Sequence, residues 1–238
     1  MHRHYHRWHS HSLQRDMEFL EFGHGGATVV VFPTSFGSFH EWEDRGMMDV
    51  IGDGLRSGWW HVLMVASVDD EAWYCRRKHP GARAWRQRQY ENYLLDELLP
   101  FAKHRNPSPY TIAVGASFGA YHALDLGLRH PDRIDRIVAL SPLCDIRMFT
   151  AGHRDQLTYE HNPVEFIPGE SDPHRLHRLR QQEIILAVGK EDRLIHQNRE
   201  LSAKLWNKGI GNALREWDGM AHDWPVWQRQ LSMYLGGV

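Results

Sequence analysis

The sequence predicts an α/β protein: a mostly parallel sheet with helices on both faces. Two observations carry this. Short apolar runs such as Thr28–Phe32 and Ile184–Val188 alternate with longer stretches whose apolar residues recur every three or four positions. The runs are apolar throughout, as strands buried on both faces are. No internal repeat or linker interrupts the alternation, so 1–238 is expected to be one domain.

Met17–Phe22 and Thr28–Pro33 read as strands on either side of the turn Gly23-His24-Gly25-Gly26. They leave no room for a crossover helix, so antiparallel hairpins are expected at this edge. Met47, Ile51 and Leu55, four apart, mark one face of a helix stopped by Gly58. Trp60–Ser67 is the next strand. Beyond Pro80-Gly81, the residues Tyr90, Leu94, Leu98, Phe101 and Ala102 form a helical stripe ending before Pro107. Tyr110–Gly115 is a strand, Phe118–His130 a helix stopped by Pro131, and Ile134–Leu140 a further strand. Residues 143–180 are too long for a plain connection and are expected to fold over the sheet as a small cap. Glu183–Val188 is a strand, Leu201 and Leu205 mark a helix ended by Gly209, and Ala213–Trp217 is the last strand. Trp224, Trp227, Leu231 and Tyr234 stripe a closing helix.

Composition narrows the function. Hydrophobic residues make up 42% of the chain, with ten Trp, nine Phe and eight Tyr, which supplies a large core and excludes a disordered chain. A formal charge of −2 gives no overall field for nucleic acid or an anionic membrane, and neither is expected as a partner. The apolar runs are too short to span a bilayer. The segment MHRHYHRWHS lacks the apolar stretch of a secretory signal, and Cys75 and Cys144 have no CxxC spacing. A cytoplasmic protein is expected; a homo-oligomer stays open, since the sequence does not reveal the oligomeric state.

The sharpest chemical signal is Gly115-Ala116-Ser117-Phe118-Gly119, directly after a strand and before a helix. A Ser on such a turn is held in a strained conformation that points its hydroxyl away from the sheet. The flanking Gly and Ala keep strand and helix backbones close, and the helix N-terminus aims its N–H groups beside Ser117. A bare GxSxG arises often by chance; its strand–turn–helix setting makes Ser117 the candidate nucleophile. A hydroxyl needs a base, and the base an orienting carboxylate, in the chain order Ser, acid, His. Gly189-Lys190-Glu191-Asp192 follows a late strand and offers Asp192 as the acid, with Glu191 in reserve. Asp218-Gly219-Met220-Ala221-His222 follows the last strand and offers His222 as the base. Asp223 behind it suits an N-cap of the closing helix, with Pro225 in the first turn.

On GASFGAYHAL at 115–124, VGKED at 188–192 and GMAHDW at 219–224, the chain resembles the putative-esterase group of the α/β-hydrolases. That group includes the esterase D-type S-formylglutathione hydrolases and the mycolyltransferase-like proteins. The resemblance runs from the FPTSFG loop at 32–37 to the last helix. It implies a three-layer α/β-hydrolase sandwich and a Ser-Asp-His triad that cleaves small carboxylic esters or thioesters without a cofactor. Ala120 departs from the group, many of whose members carry a second Gly there. Such a site needs two converging N–H donors for the oxyanion. One is expected from Phe118; the other comes from Thr34-Ser35-Phe36-Gly37, where the resemblance favours Ser35 with Phe36 as the adjacent alternative. Acyl transfer to an alcohol, or a non-catalytic binding scaffold, are the rival functions.

Other features weigh less. His2, His4 and His6 would share one face of a strand, but no further ligand stands at fixed spacing and no metal site is expected. Arg76-Arg77-Lys78 with Arg83, Arg86 and Arg88 reads as a solvated basic face. Trp73, Tyr74 and Phe149 are candidate pocket residues, with Tyr159 and Phe166 as further candidates for its roof; core packing is an equally good account of Trp73 and Tyr74 and an alternative for the other three.

Overall fold

The computed structural model describes residues 2–235. Its strands are β1 (Arg3–Ser10), β2 (Arg15–Gly23), β3 (Ala27–Phe32), β4 (Trp60–Val65), β5 (Thr111–Ala116), β6 (Arg136–Leu140), β7 (Glu183–Gly189) and β8 (Ala213–Trp217). They form one eight-stranded sheet in the order β1-β2-β4-β3-β5-β6-β7-β8. From β4 across to β8 every pairing is parallel, while β1–β2 and β2–β4 are antiparallel.

The N-terminal edge differs from the expected hairpins. β2 and β3 do not pair with each other; β2 lies antiparallel to β4, and β3 sits one strand further in, between β4 and β5. β3 is apolar on both faces and needs a neighbour on each side. Val30 and Phe32 enter the core on one face, Val29 and Val31 the core on the other. The true hairpin joins β2 to β1, whose many Arg and His side chains give little apolar signal. A polar, mostly exposed strand suits a sheet edge.

The helices are α1 (Glu41–Asp44), α2 (Met47–Val50), α3 (Gly52–Arg56), α4 (Pro80–Tyr93), α5 (Leu99–Arg105), α6 (Phe118–Arg129), α7 (Arg147–Thr150), α8 (Gln156–Glu160), α9 (Pro163–Gly169), α10 (Pro173–Leu179), α11 (Ile195–Asn207) and α12 (Trp224–Tyr234). The single helix expected from Met47, Ile51 and Leu55 is broken into α2 and α3, although all three side chains are buried as their spacing demands. Gly52 and Gly54, poor helix formers, lie within α3. The stripe from Tyr90 to Ala102 runs through one helical rod, α4 and α5 joined by a π-helical turn at Leu94–Leu98. Segment 143–180 carries the four short helices α7–α10 between β6 and β7. Among the described residues no helix is long and apolar enough to cross a membrane.

Candidate active site

Three loops at the carboxyl ends of the parallel strands meet where open α/β sheets bind ligands. After β5 the chain turns on Ser117, whose φ of 55° and ψ of −117° lie in a region that residues with a side chain rarely adopt. The turn holds because strand and helix touch. A Cβ on Gly115 would lie 2.1 Å from the Gly119 carbonyl oxygen, and one on Gly119 2.5 Å from that of Phe32. Ser117 N–H donates to the Leu140 carbonyl at 2.8 Å, tying the turn to β6.

After β7, Asp192 is buried at 1% exposure while Glu191 is exposed. Asp192 Oδ1 accepts the Leu194 N–H at 2.9 Å, and Oδ2 lies 2.7 Å from Nδ1 of His222. His222 Nε2 is 3.1 Å from Ser117 Oγ. A carboxylate only accepts, so Nδ1 carries the ring proton and Nε2 turns its lone pair to the Ser117 hydroxyl. Serine, imidazole and carboxylate thus form one hydrogen-bonded chain.

Ser141, which carries no sequence signal, and Trp227, marked only by the apolar stripe of the closing helix, hold the His222 loop. Ser141 Oγ donates to the Ala221 carbonyl at 3.0 Å and accepts from Trp227 Nε1 at 3.1 Å. The Trp227 ring also meets His222 edge-on at 5.3 Å. Asp223 caps α12 by accepting the Val226 N–H at 3.2 Å, with Pro225 in the first turn as expected.

In the loop after β3 the backbone donors can be counted. Thr34 N–H donates to Glu41, Phe36 N–H to Asp69 Oδ2 at 3.3 Å, and Gly37 N–H to the Thr34 carbonyl. Ser35 N–H has no partner among the described residues, and neither does Phe118 N–H at the start of α6.

Beside Ser117 lies a cavity of about 230 Å³, small against the roughly 300–1,000 Å³ of typical ligand pockets. Ser35, Tyr74 and Phe118 line it together with Leu143, Met148 and Phe149 from segment 143–180. Arg193 is its one charged lining residue. Tyr74 hydroxyl and Ser35 Oγ are hydrogen-bonded at 2.8 Å. Burial raises the Tyr74 phenol above its usual range, so it stays protonated as a neutral polar group.

Several expected residues lie elsewhere. Trp73 is completely buried and does not line the cavity; its indole N–H donates to the Tyr121 hydroxyl at 2.9 Å. Tyr159 and Phe166 do not roof this cavity but line a separate one of about 520 Å³. His6 is engaged by Glu21 at 2.7 Å and stacks on Phe19, so the N-terminal histidines are part of the sheet edge. The basic run is not one solvated face. Arg83 is buried and donates to the carbonyls of Lys78, Arg76 and Phe149, while Arg86 pairs with Glu71.

A family described as "Putative esterase" matches residues 38–237. The chain belongs to this esterase family. An acetyl esterase of Caldicellulosiruptor saccharolyticus is 26% identical over 167 residues, spanning 62% of this chain and 62% of that protein. Among solved structures, a ferulic acid esterase superposes with a TM-score of 0.79 at 20% identity, over 98% of this chain and 96% of its own. An S-formylglutathione hydrolase from Agrobacterium tumefaciens gives 0.78 at 14% identity, over 98% and 93%. At these identities the structures establish a shared fold, that of the α/β-hydrolases.

Proposed function

We propose that the protein hydrolyses small carboxylic esters through an acyl-enzyme on Ser117. The observation that carries this is the continuous chain from Asp192 through His222 to Ser117, with links of 2.7 and 3.1 Å, at the carboxyl edge of the sheet. Ser117 Oγ attacks the ester carbonyl carbon while His222 Nε2 takes its proton. The tetrahedral intermediate collapses, the C–O bond to the alcohol breaks, and the alcohol leaves with the proton from His222. Water then repeats the sequence on the acyl-serine, releasing the acid and restoring the serine. Asp192 holds the tautomer and stabilises the imidazolium. The developing oxyanion accepts from Phe118 and Ser35 N–H; the count of free donors favours Ser35 over Phe36, whose N–H is occupied by Asp69.

Segment 143–180 acts as the cap; Leu143, Met148 and Phe149 from it line the cavity beside Ser117. The small cavity and the acetyl esterase relative favour short acyl groups. Cys75 and Cys144 are unpaired, which fits a cytoplasmic, reducing location. The test is a series of p-nitrophenyl esters. Acetate and butyrate are expected to turn over at least tenfold faster, by kcat/KM, than octanoate and longer chains. Equal rates along the series contradict the short-acyl assignment, and no turnover of any member contradicts the activity.

A further inference from the structure

The geometry points to Asp69 and His122 as a buried pair of positioning residues that locks together the two backbone segments supplying the oxyanion donors. This rests on the serine-hydrolase reading above. Asp69 lies in the loop after β4, and His122 lies on α6, five residues beyond Ser117. Both are 2% exposed. Asp69 Oδ1 is 2.8 Å from His122 Nε2, and Asp69 Oδ2 accepts the Phe36 N–H at 3.3 Å. One carboxylate therefore bridges α6 to the turn after β3.

Proton placement along this chain follows from Asp125. Its carboxylate only accepts, so Gln87 must face it with the amide nitrogen, 3.2 Å from Asp125 Oδ2. The same nitrogen lies 3.3 Å from His122 Nδ1 and gives it the second amide hydrogen. His122 then accepts at Nδ1 and carries its ring proton on Nε2, toward Asp69. The imidazole ring also stands edge-to-face against Phe118 at 5.1 Å and packs beside Phe32 at 5.8 Å. It therefore lies under both strand-end segments.

The turn needs this anchor. Phe36 has φ of 59°, an uncommon conformation for an aromatic residue, and the residue is 63% exposed, so burial does not hold it there. Asp69 fixes Phe36 through its N–H and fixes Ser35 by a second route. Its carbonyl accepts the Tyr74 N–H at 3.0 Å, and Tyr74 hydroxyl meets Ser35 Oγ. With the neighbouring donors tied down, Ser35 N–H is the one left to face the cavity. Without Asp69, Phe36 N–H becomes a competing donor and the turn can relax to an ordinary φ. The oxyanion donors act in the transition state, so the loss should fall on kcat.

The experiment compares the parent, Asp69→Asn, His122→Leu, His122→Gln and Ser117→Ala on p-nitrophenyl acetate. It adds the affinity of each for a trifluoromethyl ketone and for the methyl ketone of the same shape. Only the fluorinated ketone forms an oxyanion adduct. Asparagine cannot accept from both donors, and leucine gives Asp69 none, so both variants are expected to lose about 10²-fold in kcat with KM within threefold. Trifluoromethyl ketone affinity should fall by a similar factor, methyl ketone affinity should hold, and His122→Gln, which keeps a donor near the Nε2 position, should stay within about fivefold of the parent. Unchanged kcat in Asp69→Asn and His122→Leu overturns the pair's role, as does an equal loss of affinity for both ketones, which signals general loosening. If Asp69→Asn does not fold, His122→Gln against His122→Asn decides in the same way, since only the longer amide reaches Asp69. An inactive parent, or an active Ser117→Ala, strikes the serine-hydrolase reading instead and is separable from either result.

Discussion

Asp192 and Glu191 are neighbours in sequence with opposite surroundings, one buried against the imidazole and the other in solvent. Asp192→Asn keeps the shape but offers an amide N–H toward Nδ1, which favours the wrong tautomer. A loss of about 10⁴ in kcat is expected. Glu191→Gln, an exposed change, should stay within about threefold. The measurement is kcat of both variants with their circular dichroism matched to the parent; a crippled Glu191→Gln moves the acid by one residue. Ser117→Ala should lose about 10⁶ if the three groups act as a unit, and retention within tenfold removes Ser117 as nucleophile. That Ser117, Asp192 and His222 would meet was legible because each follows a recognisable strand in a fixed order. Ser141, Asp69 and His122 were not, because their partners lie 80, 33 and 53 residues away along the chain and leave no spacing pattern. The sequence leaves Trp73 open between pocket and core for a related reason. A tryptophan after a strand end can face a pocket or the interior, and here the hydrogen bond to Tyr121 settles it inside.

At the scale of elements, the antiparallel edge is held by a charge cluster. Glu21 on β2 is 3% exposed and meets His6 on β1, His61 on β4 and Arg105 at the end of α5. Burial alone would raise its carboxyl; hydrogen bonds from Arg105, His61 and His6 outweigh that and hold it at about 2, against an ordinary value of 4.5. A depressed carboxyl contributes stability that is fully present above the ordinary value and fades as pH falls toward 2. Discounted for solvent screening at the sheet edge, the contribution is about 2 kcal/mol. Glu21→Gln should therefore lower stability near pH 7 in urea unfolding, and its deficit should shrink as pH falls from 5 to 3. A deficit constant with pH assigns the effect to packing. The Arg and His residues of β1 concealed this edge strand, because only part of one face is buried. The break between α2 and α3 was also hidden, since apolar spacing reports which side chains face the core and not whether the backbone stays regular between them.

Across the whole molecule, the strand–helix alternation was enough to read a parallel sheet, because each buried run must be flanked and each amphipathic stripe covered. Where β3 belongs in that sheet was not readable, since strand order depends on long-range pairing that an apolar run of this kind satisfies equally well in several places. The same holds for segment 143–180. Its length signalled a folded insertion, but only packing shows that Leu143, Met148 and Phe149 reach the cavity while Tyr159 and Phe166 turn to another. The assembled molecule brings a serine on a strained turn, an imidazole and a buried carboxylate from three separate loops to one edge of the sheet. The most direct measurement is reaction with a fluorophosphonate probe followed by mass spectrometry of the modified peptide. The account predicts a single stoichiometric adduct on Ser117, formed far more slowly in His222→Ala; an adduct on a different residue, or none on the folded, active protein, contradicts it.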